Sequence, residues 1–316
     1  MRFERDTNWN PLPDHKDVTA IAVDAHDRFY ALHNGVQPFI CFDDKYNIIS
    51  KSLGGIFTNP HGLKVSAEGT VYITDNMDHT LRIFNKAGAL LRQIGEPNVP
   101  SDTGFKPWYG DVIKSAGPFN MPTNSFVTKE GDFFVSDGYA NARVHHFSKE
   151  GDLIKSWGTP GNGKGELNLP HGIAIDHQGR VLIADRENSR IQIFSKGGDY
   201  ISQWTNIHRP CSLTVDHNGL IYVTEFGYAT GRAPGTKILI DAPKPCVSIF
   251  EPNGQLVTRL GGDGSDDPDL FFAPHDICVD LKGVIYVCEI AHGVNVDWGP
   301  KAPVTANALH KFYPIS

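Results

Sequence analysis

The chain of 316 residues contains no apolar run long enough to cross a bilayer as a helix, and its opening, MRFERDTNWNPLPDHKD, lacks the apolar core of a secretion signal. The cytoplasm is therefore the expected compartment, and no membrane partner is expected. Cysteine is scarce: Cys41, Cys211, Cys246, Cys278 and Cys288 form no CxxC pair and are odd in number. That argues against a disulfide scaffold and against a four-cysteine zinc site. Positive charge is in deficit as well, with 29 Lys and Arg against 36 Asp and Glu, a net charge of −7 and no concentrated basic run. A nucleic-acid partner is not expected.

What is present begins with 40% hydrophobic residues, enough for a core, together with 32 glycines and 21 prolines. Such a content of turn formers favours many short elements over long helices. The chain also repeats itself. Three copies of one unit are clear: NPHGLKVSAEGTVYITDNMDHTLRIFNKAG from Asn59, MPTNSFVTKEGDFFVSDGYANARVHHFSKEG from Met121, and LPHGIAIDHQGRVLIADRENSRIQIFSKGG from Leu169. RPCSLTVDHNGLIYVTEFG from Arg209, APHDICVDLKGVIYVCEIAHG from Ala273 and a weaker VTAIAVDAHDRFYALHNG from Val18 bring the number to six. Short runs rich in Val, Ile, Tyr and Phe, separated by turns such as DHQG and DHNG, read as antiparallel strands joined by hairpins.

A four-stranded antiparallel unit repeated six times predicts an all-β, six-bladed β-propeller filling residues 1–316 as one domain. The blades fall near 17–56, 57–117, 118–165, 166–206, 207–269 and 270–316. Two connections, 96–117 with Trp108 and 227–246 with Tyr228, are longer than a hairpin needs and are candidate rim loops or lids.

Register across the repeats carries the chemistry. The first strands align Thr19, His61, Thr123, His171, Cys211 and His275 at one position, so histidine occupies alternate blades. Innermost strands line a propeller's channel, which puts His61, His171 and His275 about one third of a turn apart around a single axis. Three imidazoles with an open fourth position suit a catalytic zinc ion. Histidines hydrogen-bonded around a wet channel are the alternative. Asp276 breaks the His-Gly pattern of the first two copies and is a candidate to orient a ligand or bind calcium. Cys211 faces the channel by register, and Cys278 and Cys288 read as core residues.

After the acidic residue that ends each second strand, the repeats diverge: Asn34, Asn76, Gly138 and Arg186 stand in the first four blades. That places Tyr139, Arg186 and Glu187 in loops on one face, with Tyr139 a candidate acid or base beside a metal and a guanidinium. The acidic residues themselves, Asp75, Asp137, Asp185, Glu225 and Glu289, recur too regularly for catalysis. They are expected to cap turns or to pair with bases such as Arg82, Arg143 and Arg190.

With PHGLKV and VYITD, VSDGYANAR, LPHGIAI and ADRENSRIQIF, and PHDICV and GVIYV, the chain resembles NHL-repeat propellers and, over nearly its whole length, the peptidyl-α-hydroxyglycine α-amidating lyase family. The resemblance implies a zinc ion in the channel, a structural calcium nearby, and cleavage of a C-terminal α-hydroxyglycine into an amide and glyoxylate. It implies zinc ligands His61, His171 and His275, a catalytic base Tyr139, a pocket arginine Arg186, and calcium held by Asp276 and the backbone carbonyl of Leu63.

There are departures from the family pattern. Asn34 stands in place of an active-site arginine, Ala140 in place of a cysteine, and Ala273 in place of a methionine. The expected function is a zinc-dependent lyase that opens the C–N bond of an α-hydroxyglycine-like N-acyl hemiaminal on a small-molecule substrate. A metal-dependent hydrolase or lactonase, and a non-catalytic NHL binding propeller, are the alternatives.

Overall fold

The computed structural model describes residues 1–15, 17–33, 35–52, 55–106, 111–227, 243–290 and 307–315. These form six four-stranded antiparallel sheets, the blades of a propeller. From inside to outside, blade 1 runs Ala20–Val23, Phe29–Leu32, Phe39–Phe42 and Ile48–Ser52. Blade 2 runs Pro60–Val65, Val71–Asp75, Thr80–Phe84 and Leu90–Ile94, and blade 3 runs Pro122–Val127, Phe133–Asp137, Arg143–Phe147 and Leu153–Trp157. Blade 4 comprises Pro170–Ile175, Val181–Asp185, Arg190–Phe194 and Tyr200–Trp204; blade 5 comprises Pro210–Val215, Ile221–Glu225, Cys246–Phe250 and Leu256–Gly261. Among the described residues, the single helical element is the short 3-10 turn Arg186–Asn188.

The sixth blade shows how the ring closes. Its first three strands are Pro274–Val279, Ile285–Glu289 and Leu309–Ile315, and its outer strand is Arg2–Arg5 from the start of the chain. The sequence-based boundary 270–316 therefore omits one strand of this blade. Closure is reinforced behind that strand, where Trp9 packs edge-on against Phe29, Tyr46 and Tyr286, joining blade 1 to blade 6.

The local reasons for the hairpins are visible in the turns. In the DHQG turn, Asp176 Oδ1 accepts the N–H groups of Gln178 and Arg180, while Gly179 takes φ +74°. Apolar residues of facing sheets fill the wedges between blades. Ile191 and Ile193 of blade 4, for example, pack with Leu213, Ile221 and Val223 of blade 5, each side chain contributing ~1.5–3 kcal/mol by burial.

The recurring acidic residues bind the strand entrances. Asp75 accepts the N–H groups of Thr58 and Asn59, Asp137 that of Asn120, Asp185 that of Asn168, Glu225 that of His208, and Glu289 those of Phe272 and Ala273. Arg190 pairs with Asp185 at 2.7 Å and Arg82 lies 3.7 Å from Asp75. Arg143 differs: it donates to the Gly158 carbonyl, and His145 takes the place beside Asp137.

Candidate metal centre

His61, His171 and His275 converge on the channel axis. Their rings form a nearly equilateral triangle with centroids 4.8–5.0 Å apart, and one ring nitrogen from each lies within 4.8 Å of the others. All three are buried.

The alternation of residues at this register has a structural reason. His61 Nδ1 lies 2.8 Å from the Thr123 carbonyl, His171 Nδ1 2.8 Å from the Cys211 carbonyl, and His275 Nδ1 2.6 Å from the Thr19 carbonyl. Each histidine thus donates to the aligned residue of the next blade. A carbonyl only accepts, so each Nδ1 carries the hydrogen and each Nε2 presents a lone pair. The threonines continue the girdle: Thr19 Oγ1 donates to the Pro60 carbonyl and Thr123 Oγ1 to the Pro170 carbonyl, immediately before His61 and His171.

The His-Gly pairing also has a cause. A Cβ on Gly62 would stand 2.5 Å from the Thr123 carbonyl oxygen, and one on Gly172 would stand 2.8 Å from that of Cys211. Glycine lets the neighbouring inner strand come close enough for its carbonyl to hold the imidazole.

Tyr139 reaches over this triangle. Its phenolic oxygen is 2.9 Å from His61 Nε2 and 3.0 Å from His171 Nε2. One phenolic hydrogen can be donated to only one of two Nε2 lone pairs. A cation among these donors resolves that mismatch, and imidazole nitrogens with an oxygen suit a divalent ion such as zinc. Burial, the charge of Arg186 and the other two imidazoles push the pKa of His171 well below its ordinary value, keeping it neutral for ligation.

The backbone corrects one detail of the alignment. Asn76, Arg186, Phe226 and Ile290 each donate an N–H to the residue before the recurring proline of their own blade, and in blade 3 Tyr139 does so rather than Gly138. Gly138 is an inserted residue, with space for a Cβ denied by the Pro170 carbonyl. Tyr139, Arg186 and Phe226 are thus equivalent residues of successive blades. The Arg186 guanidinium lies between the two rings, 5.5 Å from that of Tyr139 and 5.6 Å from that of Phe226.

Arg186 also pairs with Glu187 at 3.0 Å, and Glu187 pairs with Arg209 at 2.7 Å. Burial, the largest single influence, works to lower the Arg186 pKa, but the Glu187 carboxylate together with Tyr139 and Cys211 holds it above its usual value. Burial works to raise Glu187, yet the two guanidiniums hold it below the usual carboxylate range. Two cations and one anion leave a net positive charge beside the phenol. Phe226 stands out only when register positions are compared across blades, and Arg209 only through its contact with Glu187 of the preceding blade.

A cavity of about 410 Å³ opens beside Tyr139 and Glu187, lined also by Phe105, Val112, Asn141 and Leu167. The long connection after blade 2 contributes to it and packs on the Tyr139 loop, where Thr103 Oγ1 donates to the Ala140 carbonyl at 2.7 Å. Asn34, Trp108 and Tyr228 lie outside the described residues.

Cys211 contributes its carbonyl to the centre. Its thiol lies 3.4 Å from His171 Nδ1, on the side of the ring that already donates, and burial pushes its pKa up to about 12. Asp276 and Leu63 line a second cavity, of about 170 Å³, in the same channel. Asp276 Oδ2 accepts the Ile21 N–H at 3.0 Å and Oδ1 accepts the Ser212 hydroxyl at 2.6 Å. Each carboxylate oxygen thus accepts one hydrogen bond and keeps lone-pair capacity, and calcium would need six to eight oxygen ligands, of which Asp276 and the Leu63 carbonyl would supply part.

Comparison with known proteins agrees with this architecture. The NHL repeat family matches residues 57–84 and 167–194. Peptidyl-alpha-hydroxyglycine alpha-amidating lyase 1 of Drosophila melanogaster is 32% identical over 261 residues, covering 74% of this chain and 43% of that protein. Peptidyl-glycine alpha-amidating monooxygenase B of Xenopus laevis is 31% identical over 356 residues, covering 99% of this chain and 36% of that protein. The chain is a six-bladed NHL-type β-propeller homologous to the amidating lyases. This NHL propeller spans about two fifths of the length of those two relatives. It also shares its fold with virginiamycin B lyase from Staphylococcus aureus, with a TM-score of 0.64 at 14% identity over 99% of this chain and all of that one.

Proposed function

We propose that this propeller is a metal-dependent lyase that cleaves the C–N bond of an N-acyl hemiaminal of the α-hydroxyglycine type, giving an amide and glyoxylate or a related carbonyl compound. The observation that carries the proposal is the phenolic oxygen of Tyr139, within hydrogen-bond reach of two imidazole Nε2 atoms and adjacent to a buried guanidinium. His61, His171 and His275 would hold a divalent ion, zinc by the chemistry of the donor set, which supplies Lewis acidity toward a substrate oxygen.

The chain's own groups account for the proton. Tyr139 takes the hydrogen of the substrate hydroxyl; the carbonyl forms from that oxygen as the C–N bond breaks, and the amide nitrogen receives a proton in return. Arg186, fixed by Glu187 and Arg209, offers positive charge to a substrate carboxylate. The cavity flanked by Tyr139 and Glu187 has room for the acyl group of a small substrate. The homology to proteins named as amidating lyases supports the reaction class. Five free, buried cysteines support a reducing compartment such as the cytoplasm.

The test is product analysis with metal-loaded protein and a simple N-acyl-α-hydroxyglycine. Amide and glyoxylate are expected in equal amounts, with release abolished by His171→Ala through loss of metal and by Tyr139→Phe without it. Metal-loaded protein that hydrolyses esters or lactones but releases no glyoxylate would replace the lyase by a hydrolase.

A further inference from the structure

The connection between blades 2 and 3 does more than wrap the rim. It packs on the loop that carries Tyr139, where Ala140, Asn141 and Ala142 are left at most 2% exposed. Thr103 of the connection, itself buried, donates its hydroxyl hydrogen to the Ala140 carbonyl at 2.7 Å. A hydroxyl has one hydrogen to give, and the same oxygen accepts from Asn120 Nδ2 at 3.0 Å, which fixes its direction. Asn120 is held in turn: Nδ2 also donates to the Ser101 carbonyl at 3.0 Å, and its N–H to the Asp137 carboxylate at 3.0 Å. The Thr103 carbonyl accepts the N–H groups of Ile113 and Lys114, both at 3.1 Å, so the two arms of the connection meet at this residue.

Blade 4 separates this contact from the ordinary support of a blade. Asn141 Nδ2 donates to Asp137 at 2.8 Å and to the Ala116 carbonyl at 3.3 Å; Asn188, at the same register, donates to Asp185 at 2.8 Å and to the Gly161 carbonyl at 2.9 Å. That pair of bonds belongs to the repeat. The residue after the functional one differs. Glu187, after Arg186, is tied through its side chain to Arg209, whereas Ala140, after Tyr139, has no polar side chain and is tied through its carbonyl to Thr103. The Tyr139 phenol must lie 2.9 Å from one Nε2 and 3.0 Å from another at once, a demand that its backbone has to meet. We infer that Thr103 is a positioning residue for Tyr139: its bond to the Ala140 carbonyl fixes the backbone from which the phenol reaches over the three imidazoles. Its effect on turnover rests on the lyase reading; its effect at the metal does not.

Thr103→Val keeps the side chain's shape and removes the hydroxyl, and Thr103→Ser restores it. With zinc-loaded protein and an N-acyl-α-hydroxyglycine, Thr103→Val should lose about 10–100-fold in kcat per bound zinc with KM nearly unchanged, because a misplaced phenol fails in the transition state. Thr103→Ser should recover most of that loss. Lys114→Gln, which opens only the exposed pair with Asp102 in the same connection, should leave kcat unchanged. Cobalt-loaded protein gives a reading that needs no substrate: the visible spectrum of Thr103→Val should move toward that of Tyr139→Phe, and that of Thr103→Ser should not. If wild type releases no glyoxylate, the lyase reading fails and the cobalt spectra still decide the role of Thr103. Wild-type turnover and a wild-type spectrum in folded Thr103→Val, or a loss that Thr103→Ser does not restore, would overturn the assignment. Should Thr103→Val not fold, Asn120→Ser, which removes the amide that orients the hydroxyl, is expected to move both readings in the same direction, and no movement would overturn it.

Discussion

Gly62→Ala tests how the channel holds its histidines. The added methyl would stand 2.5 Å from the Thr123 carbonyl oxygen, 2.7 Å from Thr74 Oγ1 and 2.8 Å from the Asn124 Cα, and two of these three are backbone atoms. Gly62 has no unusual backbone angle, so the effect is one of space alone. Reaching even 3.0 Å requires the carbonyl to retreat by about half an ångström. That carbonyl accepts from His61 Nδ1 at 2.8 Å, and such a shift carries the bond past the ~3.2 Å limit of an ordinary N–H···O contact. Losing the outer partner of a metal-binding imidazole typically costs about 10–100-fold in metal affinity, or about 1.4–2.7 kcal/mol. The assay is competition for zinc against a chromophoric chelator, with circular dichroism as the check on folding. Gly117→Ala, where nothing lies within 4 Å of the new methyl, is the control and should match wild type. A folded Gly62→Ala protein with wild-type zinc affinity would refute the role given to the Thr123 carbonyl.

Other consequences are as direct. Glu187→Gln leaves two buried guanidiniums facing each other without an anion, and should lower unfolding stability by ~3–5 kcal/mol in a denaturant titration; a change under ~1 kcal/mol would mean the trio behaves as an exposed pair. All five cysteines are buried, and Cys211 has a pKa of about 12, so a thiol reagent at mildly alkaline pH should label none of them until denaturant is added. In metal-free protein the depressed pKa of His171 means that below about pH 6.5 the unfolded chain takes up a proton that the folded imidazole refuses, so stability falls as pH falls. Asp276, raised to about 6, acts with the opposite sign at lower pH, binding its proton in the folded state first. The melting temperature should therefore fall more steeply between about pH 7 and pH 6 for wild type than for His171→Gln, and parallel profiles would contradict the assignment.

Much of the site was legible because a repeat turns sequence position into angular position. His61, His171 and His275 are more than a hundred residues apart, yet their shared register places them on one axis, and Tyr139 and Arg186 are legible as deviations from the repeat. What escaped depends on contacts between blades. The carbonyls of Thr19, Thr123 and Cys211 belong to residues whose side chains suggest other roles, and any residue type could supply them. Arg209 acquires its role only when folding sets it against Glu187 from blade 4. The strand Arg2–Arg5 is short and alternates exposed with half-buried residues, so it has little apolar signature, and its partner lies at the opposite end of the chain. The two hydrogen bonds to Asp276, from the Ile21 N–H and the Ser212 hydroxyl, are likewise a property of neighbouring strands rather than of the residue itself.

The central claim is that three imidazoles hold one divalent ion beneath Tyr139. X-ray absorption at the metal edge of zinc-loaded protein tests it most directly. The account predicts one zinc per chain with three imidazole nitrogens at ~2.0–2.1 Å, reduced in His171→Ala, and no sulfur neighbour. A sulfur shell at ~2.3 Å, or a zinc environment unchanged by His171→Ala, would contradict it.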